Sequence, residues 1–364
     1  MSVTTTIPLS RGAPSLDIVD IEGLTEAAVR AFENDPAGVA AYGTSVGYRP
    51  LRRLIAESHG VDESRVLVTN GSMQADAFLF DELATPGTDV VVERPSYDRT
   101  LLGLRQRGAL IHAIPLKPDG LEVDELERQL RAGLRPAFAH IIPNFQNPAG
   151  YTISLEKRRR LLSLAREHGF LIFEDDPYIS LRFRGETLPT MLSLDSGGDT
   201  VVYASSFSKT VCPGIRVGYL VGPAELIAKI AKRATNTYIS PSMVSEAIVY
   251  EFASSGALER SIARVRGALS ERCTRLVEGL AERLPQTSVV APDGGYFLWV
   301  ELGGGIDSTK LVAAAGEHGV AIVDGDDFLS EGRAGAVRLA YAPVTPAEID
   351  TAIERLVAAV DSLS

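Results

Sequence analysis

One lysine stands among residues that together can bind a phosphate group and perform nucleophilic chemistry. The run from Tyr203 to Gly222, YASSFSKTVCPGIRVGYLVG, places Lys209 after hydroxyl-bearing side chains and ahead of an arginine. The segment Thr200 to Ala204 is rich in β-forming residues and predicts a strand that ends just before the lysine. An amine at the end of a buried strand, near a fixed guanidinium, is disfavoured as a cation by desolvation and by like charge. Lys209 is therefore a candidate nucleophile.

The side chains around Lys209 form a set that suits a phosphate better than a carboxylate alone. Ser206 and Ser208 offer two hydroxyl donors, and Arg216 offers a planar cation with several N–H groups. A lysine nucleophile beside a phosphate-binding set indicates pyridoxal phosphate as the cofactor. Taken alone, the pattern SxSK also occurs as a strand, a turn and a surface lysine, so the rest of the chain has to decide.

The composition bounds the class of protein. The chain has 364 residues, more than one core usually holds, so a large and a smaller domain are expected. Its 36 basic and 47 acidic side chains give a formal charge of −11, which argues against non-specific binding to nucleic acids or membranes. The chain has two cysteines, too few for a disulfide framework. It shows no basic leader before an apolar segment and no apolar run of about 18 residues, and these features predict a cytoplasmic protein.

Alternating β-prone and helix-prone segments predict an α/β fold with a mostly parallel, helix-covered sheet. Residues 1–40 are expected to form an N-terminal arm and first helix, residues 41–250 a large cofactor-binding domain, and residues 251–364 a smaller α+β domain. A long helix that ends at Arg283 should connect the domains. The seven strands predicted for the large domain are 65–69, 89–93, 109–114, 137–142, 170–175, 200–204 and 216–221. The main helices predicted between them are 72–83, 98–107, 123–132 and 155–168.

Polar residues follow the carboxyl ends of five predicted strands. In open α/β sheets, ligands bind at that edge. The residues are Asn70, Gly71 and Ser72; Ser96 and Tyr97; Asn144 and Asn147; Asp175, Asp176 and Tyr178; and Ser206, Ser208 and Lys209. Loops are commonly polar, but the complementary chemistry of this set favours one shared site.

Several of these residues have a chemical interpretation and a structural alternative. Ser72 opens a helix whose free N–H groups can hold an anion, although Asn-Gly-Ser is also an ordinary turn. Asp175 ends an apolar strand and needs a partner such as a protonated pyridine nitrogen; it can also be a helix cap, and Asp176 is a competing candidate. Asn147 and Tyr178 can bind the phenolic oxygen of the cofactor, or they are turn and core residues.

Other residues are more ambiguous. Tyr97 can stack on a ring or belong to the core. Arg338, in the otherwise apolar strand AVRLAYA, can clamp a substrate carboxylate or face solvent. The five histidines have no ligand spacing and predict no site. A solvated helix face is predicted for Arg158, Arg159 and Arg160.

The combined motifs carry a family resemblance that covers nearly the whole chain. They are ASSFSKTVCPGIRVGYL around Lys209, NPAG at 147–150, EDDPY at 174–178, ERPSY at 93–97 and VRLAYA at 337–342. Together they resemble the fold-type-I pyridoxal phosphate enzymes, and within them the class I/II aminotransferases of the 2-aminoadipate and multi-substrate kind. The resemblance implies transfer of an amino group from an L-amino acid to a 2-oxo acid.

The resemblance also implies roles for single residues. Lys209 would be the Schiff-base lysine and proton shuttle, and Asp175 would pair with the pyridine nitrogen. Asn147 and Tyr178 would bind the phenolic oxygen, while Tyr97 would stack on the ring. The phosphate would be held by Ser206, Ser208, Arg216 and the backbone at Ser72 and Met73.

Three more residues gain an implied role from the same resemblance. Arg338 would clamp the substrate carboxylate, and Gly12 falls near the N-terminal glycine that the family places beside it. Tyr42, in YGTSVGYRPLR, matches a tyrosine that reaches the phosphate of the partner subunit in the family. A homodimer with shared active sites is therefore expected.

The chain departs from the family pattern at three positions. Met73 stands where glutamine is common, Arg11 where a second glycine is common, and Asp324 where proline is usual. Arg11 can pair with a distal carboxylate, which would favour acidic substrates. Elimination, cyclisation or oxidation on the same scaffold remain alternatives to transamination. A ligand-sensing regulator is a further alternative, but it needs a basic DNA-binding module that the first forty residues do not supply.

Overall fold

Two β-sheets organise the chain. The computed structural model describes residues 6–196 and 198–363. The larger sheet consists of β1 (Val66–Thr69), β2 (Asp89–Arg94), β3 (Leu110–Lys117), β4 (Gly120–Leu121), β5 (Phe138–Ile141), β6 (Leu171–Asp175), β7 (Val201–Ser206) and β8 (Gly218–Val221). The smaller sheet consists of β9 (Thr287–Val289), β10 (Phe297–Leu302), β11 (Val323–Asp324) and β12 (Ala336–Ala340).

The larger sheet is parallel in its centre and antiparallel at its edges. Its order is β1-β8-β7-β6-β5-β2-β3-β4, and the pairs β7-β6, β6-β5, β5-β2 and β2-β3 are parallel. Consecutive apolar residues such as Val90, Val91 and Val92 are fully buried, because helices cover both faces of a parallel sheet. The predicted α/β class is confirmed, but the predicted count of seven strands is wrong. The eighth strand, β4, is a two-residue return onto β3 and too short to leave a pattern.

Helices connect the strands and cover both sheets. They are α1 (Ile21–Asn34), α2 (Pro36–Ala40), α3 (Arg49–His59), α4 (Ser72–Leu83), α5 (Asp98–Gln106), α6 (Val123–Arg131), α7 (Leu155–His168), α8 (Met191–Leu194), α9 (Ala224–Tyr238), α10 (Met243–Ser254), α11 (Ala257–Arg283), α12 (Ser308–Glu317) and α13 (Pro346–Asp361). The helices predicted at 72–83 and 155–168 have the same bounds in the structure. Within the described ranges, no helix is long and apolar enough to cross a membrane.

The N-terminal arm packs on the smaller sheet's unit. Ile7 forms a parallel bridge with Val320, and the N–H of Ala340 donates to the carbonyl of Leu9 over 2.6 Å. Helix α1 then packs against α10, beside the larger sheet, and α11 leads back to the smaller one. The arm is thereby brought to the region between the sheets. The domain limits at residues 40 and 250 stay a prediction.

Arg158 corrects one prediction. Its side chain is fully buried, whereas Arg159 and Arg160 are exposed. Because Arg158 shares the helix face of Leu161, it points inward, and its guanidinium donates to carbonyl groups and to Asn144 Oδ1 over 2.8 Å. The arginine run was therefore wrongly predicted to be uniformly solvated.

Candidate active site

One cavity lies at the carboxyl ends of β5, β6 and β7. Ten of the residues predicted to bind a cofactor line it: Ser72, Met73, Tyr97, Asn147, Asp175, Tyr178, Ser206, Ser208, Lys209 and Arg216. Three further lining residues carry no predicted role: Ile142, Pro177 and Pro213. Residues predicted from their positions near strand ends thus lie together in one cavity.

Lys209 occupies the middle of this site. It follows β7 in a short turn, and its Nζ donates to the carbonyl oxygen of Gly12. The same nitrogen lies 5.2 Å from the ring centre of Tyr296. Burial, followed by the positive charges of Arg338 and Arg216, lowers the pKa of Lys209 to about 8. Roughly a tenth of the amine is thus neutral at pH 7, far more than for an ordinary lysine.

One end of the cavity is built for an anion. Helix α4 begins at Ser72, so its first N–H groups have no partner within the helix. The guanidinium of Arg216 donates to the carbonyl of Asn70 over 3.1 Å. Gly71 lies between them with a φ of +83°, and a Cβ there would overlap Arg216. Only glycine fits this position.

Two serines complete the anion site. Ser206 Oγ and Ser208 Oγ lie 2.8 Å apart, and the backbone N–H of Ser208 donates to Ser206 Oγ over 3.1 Å. Both side chains are buried at the end of β7. Two hydroxyl groups, a guanidinium and a helix N-terminus are donors suited to a phosphate.

The opposite end presents a buried carboxylate. Asp175 is 4% exposed, and its Oδ1 has no hydrogen-bond partner among the residues that the structure describes. Asp176 turns the other way, because successive strand residues face opposite sides, and it accepts a hydrogen bond from Asn144 over 2.7 Å. Burial and then the charge of Glu174 raise the pKa of Asp176 to about 8. Asp175, not Asp176, therefore faces the cavity.

A buried cation stands beside the cavity. Arg338 is 7% exposed, so the alternative of a solvated strand residue is wrong. Its Nη1 donates to Asn147 Oδ1 over 2.9 Å and its Nη2 to the carbonyl of Ser10 over 2.8 Å. The guanidinium carbon lies 4.4 Å from the ring centre of Phe297. These contacts fix a planar cation whose Nε has no partner within the described part of the chain.

The remaining predicted residues lie around the rim or outside. Gly12 contacts Lys209 through its carbonyl, and a Cβ there would come within 2.7 Å of Phe297. Arg11 is exposed, and Tyr42 is 88% exposed. Asp324 Oδ2 accepts from Thr309 over 2.7 Å, at the margin of the smaller sheet.

Sequence patterns did not single out several neighbours of the site. His140 on β5 lies behind Asp175, with its Nε2 3.7 Å from Asp175 Oδ2, although the histidines predicted no site. The hydroxyl of Tyr296 donates to the carbonyl of Lys209 over 3.2 Å. Asp76 is buried inside α4, and an acid within the apolar run ADAFLF was the available signal.

The donor set fits pyridoxal phosphate. This cofactor needs an anion site for its phosphate, an amine for its aldehyde and an acid for its ring nitrogen. Arg216 lies at the anion end, Lys209 supplies the amine, and the unpartnered Oδ1 of Asp175 fits a protonated ring nitrogen. Fold and site together define a pyridoxal phosphate enzyme of fold type I.

Comparisons with known proteins lead to the family. Residues 4–356 match the family model described as aminotransferase class I and II. A 2-aminoadipate transaminase of Thermus thermophilus is 33% identical over 349 residues, 95% of this chain and 87% of that protein. The chain therefore belongs to the class I and II aminotransferases.

Two solved structures resemble the fold over nearly its whole length. One is the α-aminoadipate aminotransferase of Thermus thermophilus, complexed with N-(5'-phosphopyridoxyl)-L-leucine; it has a TM-score of 0.94 and 31% identity, with 98% of this chain and 92% of that chain covered. The other is the kynurenine aminotransferase of Pyrococcus horikoshii in complex with PMP, with a TM-score of 0.93, 30% identity, and 99% and 92% covered. This aminotransferase accordingly depends on pyridoxal phosphate.

The lowered pKa of Lys209 predicts how the apoprotein takes up its cofactor. Only the neutral amine attacks an aldehyde, so the rate of reconstitution should rise about tenfold per pH unit below pH 8 and level off above it. Stopped-flow absorbance between pH 6 and pH 9 measures this rate. The Arg338→Leu variant removes a repelling charge and should move the midpoint to higher pH. A flat profile would contradict the prediction.

Proposed function

We propose that Lys209 is the covalent lysine and proton carrier of this aminotransferase, with Asp175 and Arg338 fixing the cofactor ring and the substrate. The observation that carries the proposal is that a lysine with a lowered pKa lines the same cavity as the unpartnered carboxylate of Asp175. The anion-binding end of the cavity, at Ser72 and Arg216, supports an orientation of the cofactor with its phosphate at that end.

The chemistry divides between the cofactor and the protein. Bound pyridoxal phosphate supplies an aldehyde for the amino group and a ring that stabilises negative charge at the substrate α-carbon. Lys209 Nζ would take the proton from that carbon and deliver it to the cofactor. Asp175 would keep the ring nitrogen protonated, and Tyr178 and Asn147 would hold the phenolic oxygen. Arg338 holds the α-carboxylate through its two terminal nitrogens.

Acidic L-amino acids are the substrate class that we propose. Arg11 is exposed and adjoins Gly12, whose carbonyl contacts Lys209, so its cation lies on the arm that reaches the site. A distal carboxylate can pair with this guanidinium while Arg338 binds the α-carboxylate. The Thermus thermophilus relative is named for 2-aminoadipate, a substrate with such a distal carboxylate.

A half-reaction compares two amino acids of equal chain length. L-2-aminoadipate should convert the bound cofactor to pyridoxamine phosphate with one equivalent of 2-oxo acid, and L-norleucine should react about twofold to fivefold less efficiently. Arg11→Gln should remove this preference without affecting L-norleucine. Absorbance and product chromatography measure both. Loss of the cofactor band without stoichiometric oxo acid would instead support elimination, cyclisation or oxidation.

We further propose a homodimer with shared active sites. Tyr42 is 88% exposed, and other large apolar side chains are more than half exposed in the same N-terminal part of the chain, including Leu16, Ile21 and Val29. Such a surface suits contact with a second copy. Tyr42 would then reach the phosphate end of the partner's cavity.

Hybrid dimers test this arrangement. Tyr42→Ala weakens cofactor binding and Lys209→Ala removes the nucleophile, so each homodimer should be impaired. After co-refolding, a hybrid contains one site with both native residues, and activity should return to about half that of the native dimer per hybrid. Hybrids that form but recover no activity would contradict the shared site, and a monomer in sedimentation would contradict the dimer.

A further inference from the structure

Three buried polar groups cluster behind the cavity. Asp76 Oδ1, Asp175 Oδ1 and His140 Nδ1 have no hydrogen-bond partner within the described residues. Asp76 is 5% exposed and His140 fully buried. A bound cofactor accounts for Asp175 alone, and an unpaired buried carboxyl group is costly. Asp76 therefore requires a separate explanation.

The packing of α4 on the sheet brings Asp76 and Asp175 into the same buried region. Asp76 and Phe80 are four residues apart and share one face of α4, and Phe173 and Asp175 share one face of β6. The rings of Phe80 and Phe173 lie 6.0 Å apart. From this ring pair, α4 runs back one turn toward its start at the cavity and β6 runs on two residues toward its end at the cavity, so Asp76 and Asp175 lie on the same side of the rings. In agreement, the charge of Asp175 acts on the pKa of Asp76.

Two buried carboxyl groups whose charges act on each other do not readily both ionise. Burial, followed by the charge of Asp175, raises the pKa of Asp76 well above its ordinary range. Tyr97, from α5, lies close enough to be affected by both charges, and burial raises its pKa as well. Asp76 and Tyr97 are therefore uncharged when protonated, and the negative charge around Asp175 stays low.

The neighbouring donors have other partners or lie too far from Asp175: Lys209 donates to the carbonyl of Gly12, and the hydroxyl of Tyr97 contacts the sulfur of Met73. The Nε2 of His140 is 3.7 Å from Asp175 Oδ2, beyond hydrogen-bond distance, and 3.4 Å from Thr100 Oγ1. Glu93 on β2 accepts hydrogen bonds from the N–H of Ile142 and from Gln146, and burial raises its pKa to about 8. Among these buried groups, a protonated Asp76 is left without a partner of its own and can donate to Asp175.

We propose that Asp76 is a positioning residue that carries a proton and donates a hydrogen bond to Asp175. The pair then holds a single negative charge. A carboxylate has two oxygens, so Asp175 can accept from Asp76 and from the ring nitrogen of the cofactor together. The inference rests on the proposed role of Asp175.

The hydrogen bond has a measurable effect on the ring nitrogen. A donor makes the Asp175 carboxylate less basic, so the shared proton stays on the nitrogen. Asp76→Asn retains a donor of the same shape, whereas Asp76→Leu retains the volume and removes the donor. A purely structural Asp76 would leave the ring nitrogen unchanged in both variants.

Solid-state ¹⁵N NMR of protein reconstituted with ring-labelled pyridoxal phosphate reads this proton directly. The native protein and Asp76→Asn should share the shift of a protonated nitrogen, and Asp76→Leu should move toward the unprotonated value. Infrared difference spectra should show a protonated carboxyl band in the native protein that Asp76→Asn lacks. Glu246→Gln is the control, because Glu246 is a buried acid with a pKa raised to about 8 that does not line the cavity.

The outcomes separate this inference from the proposed function. An unchanged ¹⁵N shift in Asp76→Leu, or an Asp76→Asn shift that follows Asp76→Leu, would overturn it. The inference would also be overturned if the native protein and Asp76→Asn did not differ in a protonated carboxyl band in the infrared. This test needs only the conservative variant. Native protein that binds no pyridoxal phosphate would overturn the proposed function instead.

Discussion

Lys209→Ala is expected to lose amino transfer by at least about 10⁴-fold. Lys209 is the only lysine among the described residues that line the cavity, so no other amine can take its place as nucleophile and proton carrier. The variant should still bind pyridoxal phosphate, because the anion end at Ser206 and Arg216 is unchanged. The loss should therefore appear in the rate of the half-reaction more than in cofactor affinity.

Single-turnover absorbance with an L-amino acid measures this loss. Lys157→Ala is a matched control, since Lys157 is a lysine in a surface ion pair with Asp119, away from the cavity. Added methylamine should restore part of the proton transfer in Lys209→Ala, because a small amine can occupy the space of the deleted side chain. Turnover at the native rate without added amine would refute the role of Lys209.

Asp175→Ala is expected to reduce kcat/KM by about 10² to 10³-fold. In its proposed role the buried carboxylate would hold positive charge on the ring nitrogen of the cofactor, and removal of one such electrostatic partner has an effect of this size. Weaker cofactor retention should accompany the loss. Steady-state kinetics and dialysis against buffer without cofactor measure the two effects.

The neighbouring Asp176 provides the control for this variant. Its pKa of about 8 leaves it mostly protonated at neutral pH, so Asp176→Asn is close to isosteric with the native group. It should keep activity within a few fold, because Asp176 bonds Asn144 and does not line the cavity. Equal losses of kcat/KM in Asp175→Ala and Asp176→Asn would contradict the proposed role of Asp175.

Local patterns predicted much of the fold and the site. Strand ends share one edge of a parallel sheet, so the position of Lys209 after one strand and Asp175 at the end of another placed both at one rim. Both ends of α7 carry local signals in the structure: the Ser154 side chain accepts from the N–H of Lys157, and Gly169 adopts a left-handed conformation after the last turn. These signals lie within a few residues of the feature they predict.

Contacts between distant segments were not predictable in this way. The burial of Arg158 depends on Asn144 across the sheet edge, and no local period encodes that partner. The proximity of Asp76 and His140 to Asp175 arises from three separate elements. The contact of Gly12 with Lys209 joins residues 197 positions apart. Such pairings follow from tertiary packing, which a single sequence does not display.

The bridge between Ile7 and Val320 has a mechanical consequence. It joins the N-terminal arm to the segment after α12, and two hydrogen bonds, from Ile7 to Gly319 and from Ala321 to Ile7, set the register. The backbone carbonyl that accepts a hydrogen bond from Arg338 lies only three residues further on, at Ser10. Shortening or lengthening the arm by one residue between Ile7 and Ser10 would therefore displace a hydrogen-bond acceptor of Arg338 without altering any side chain around it.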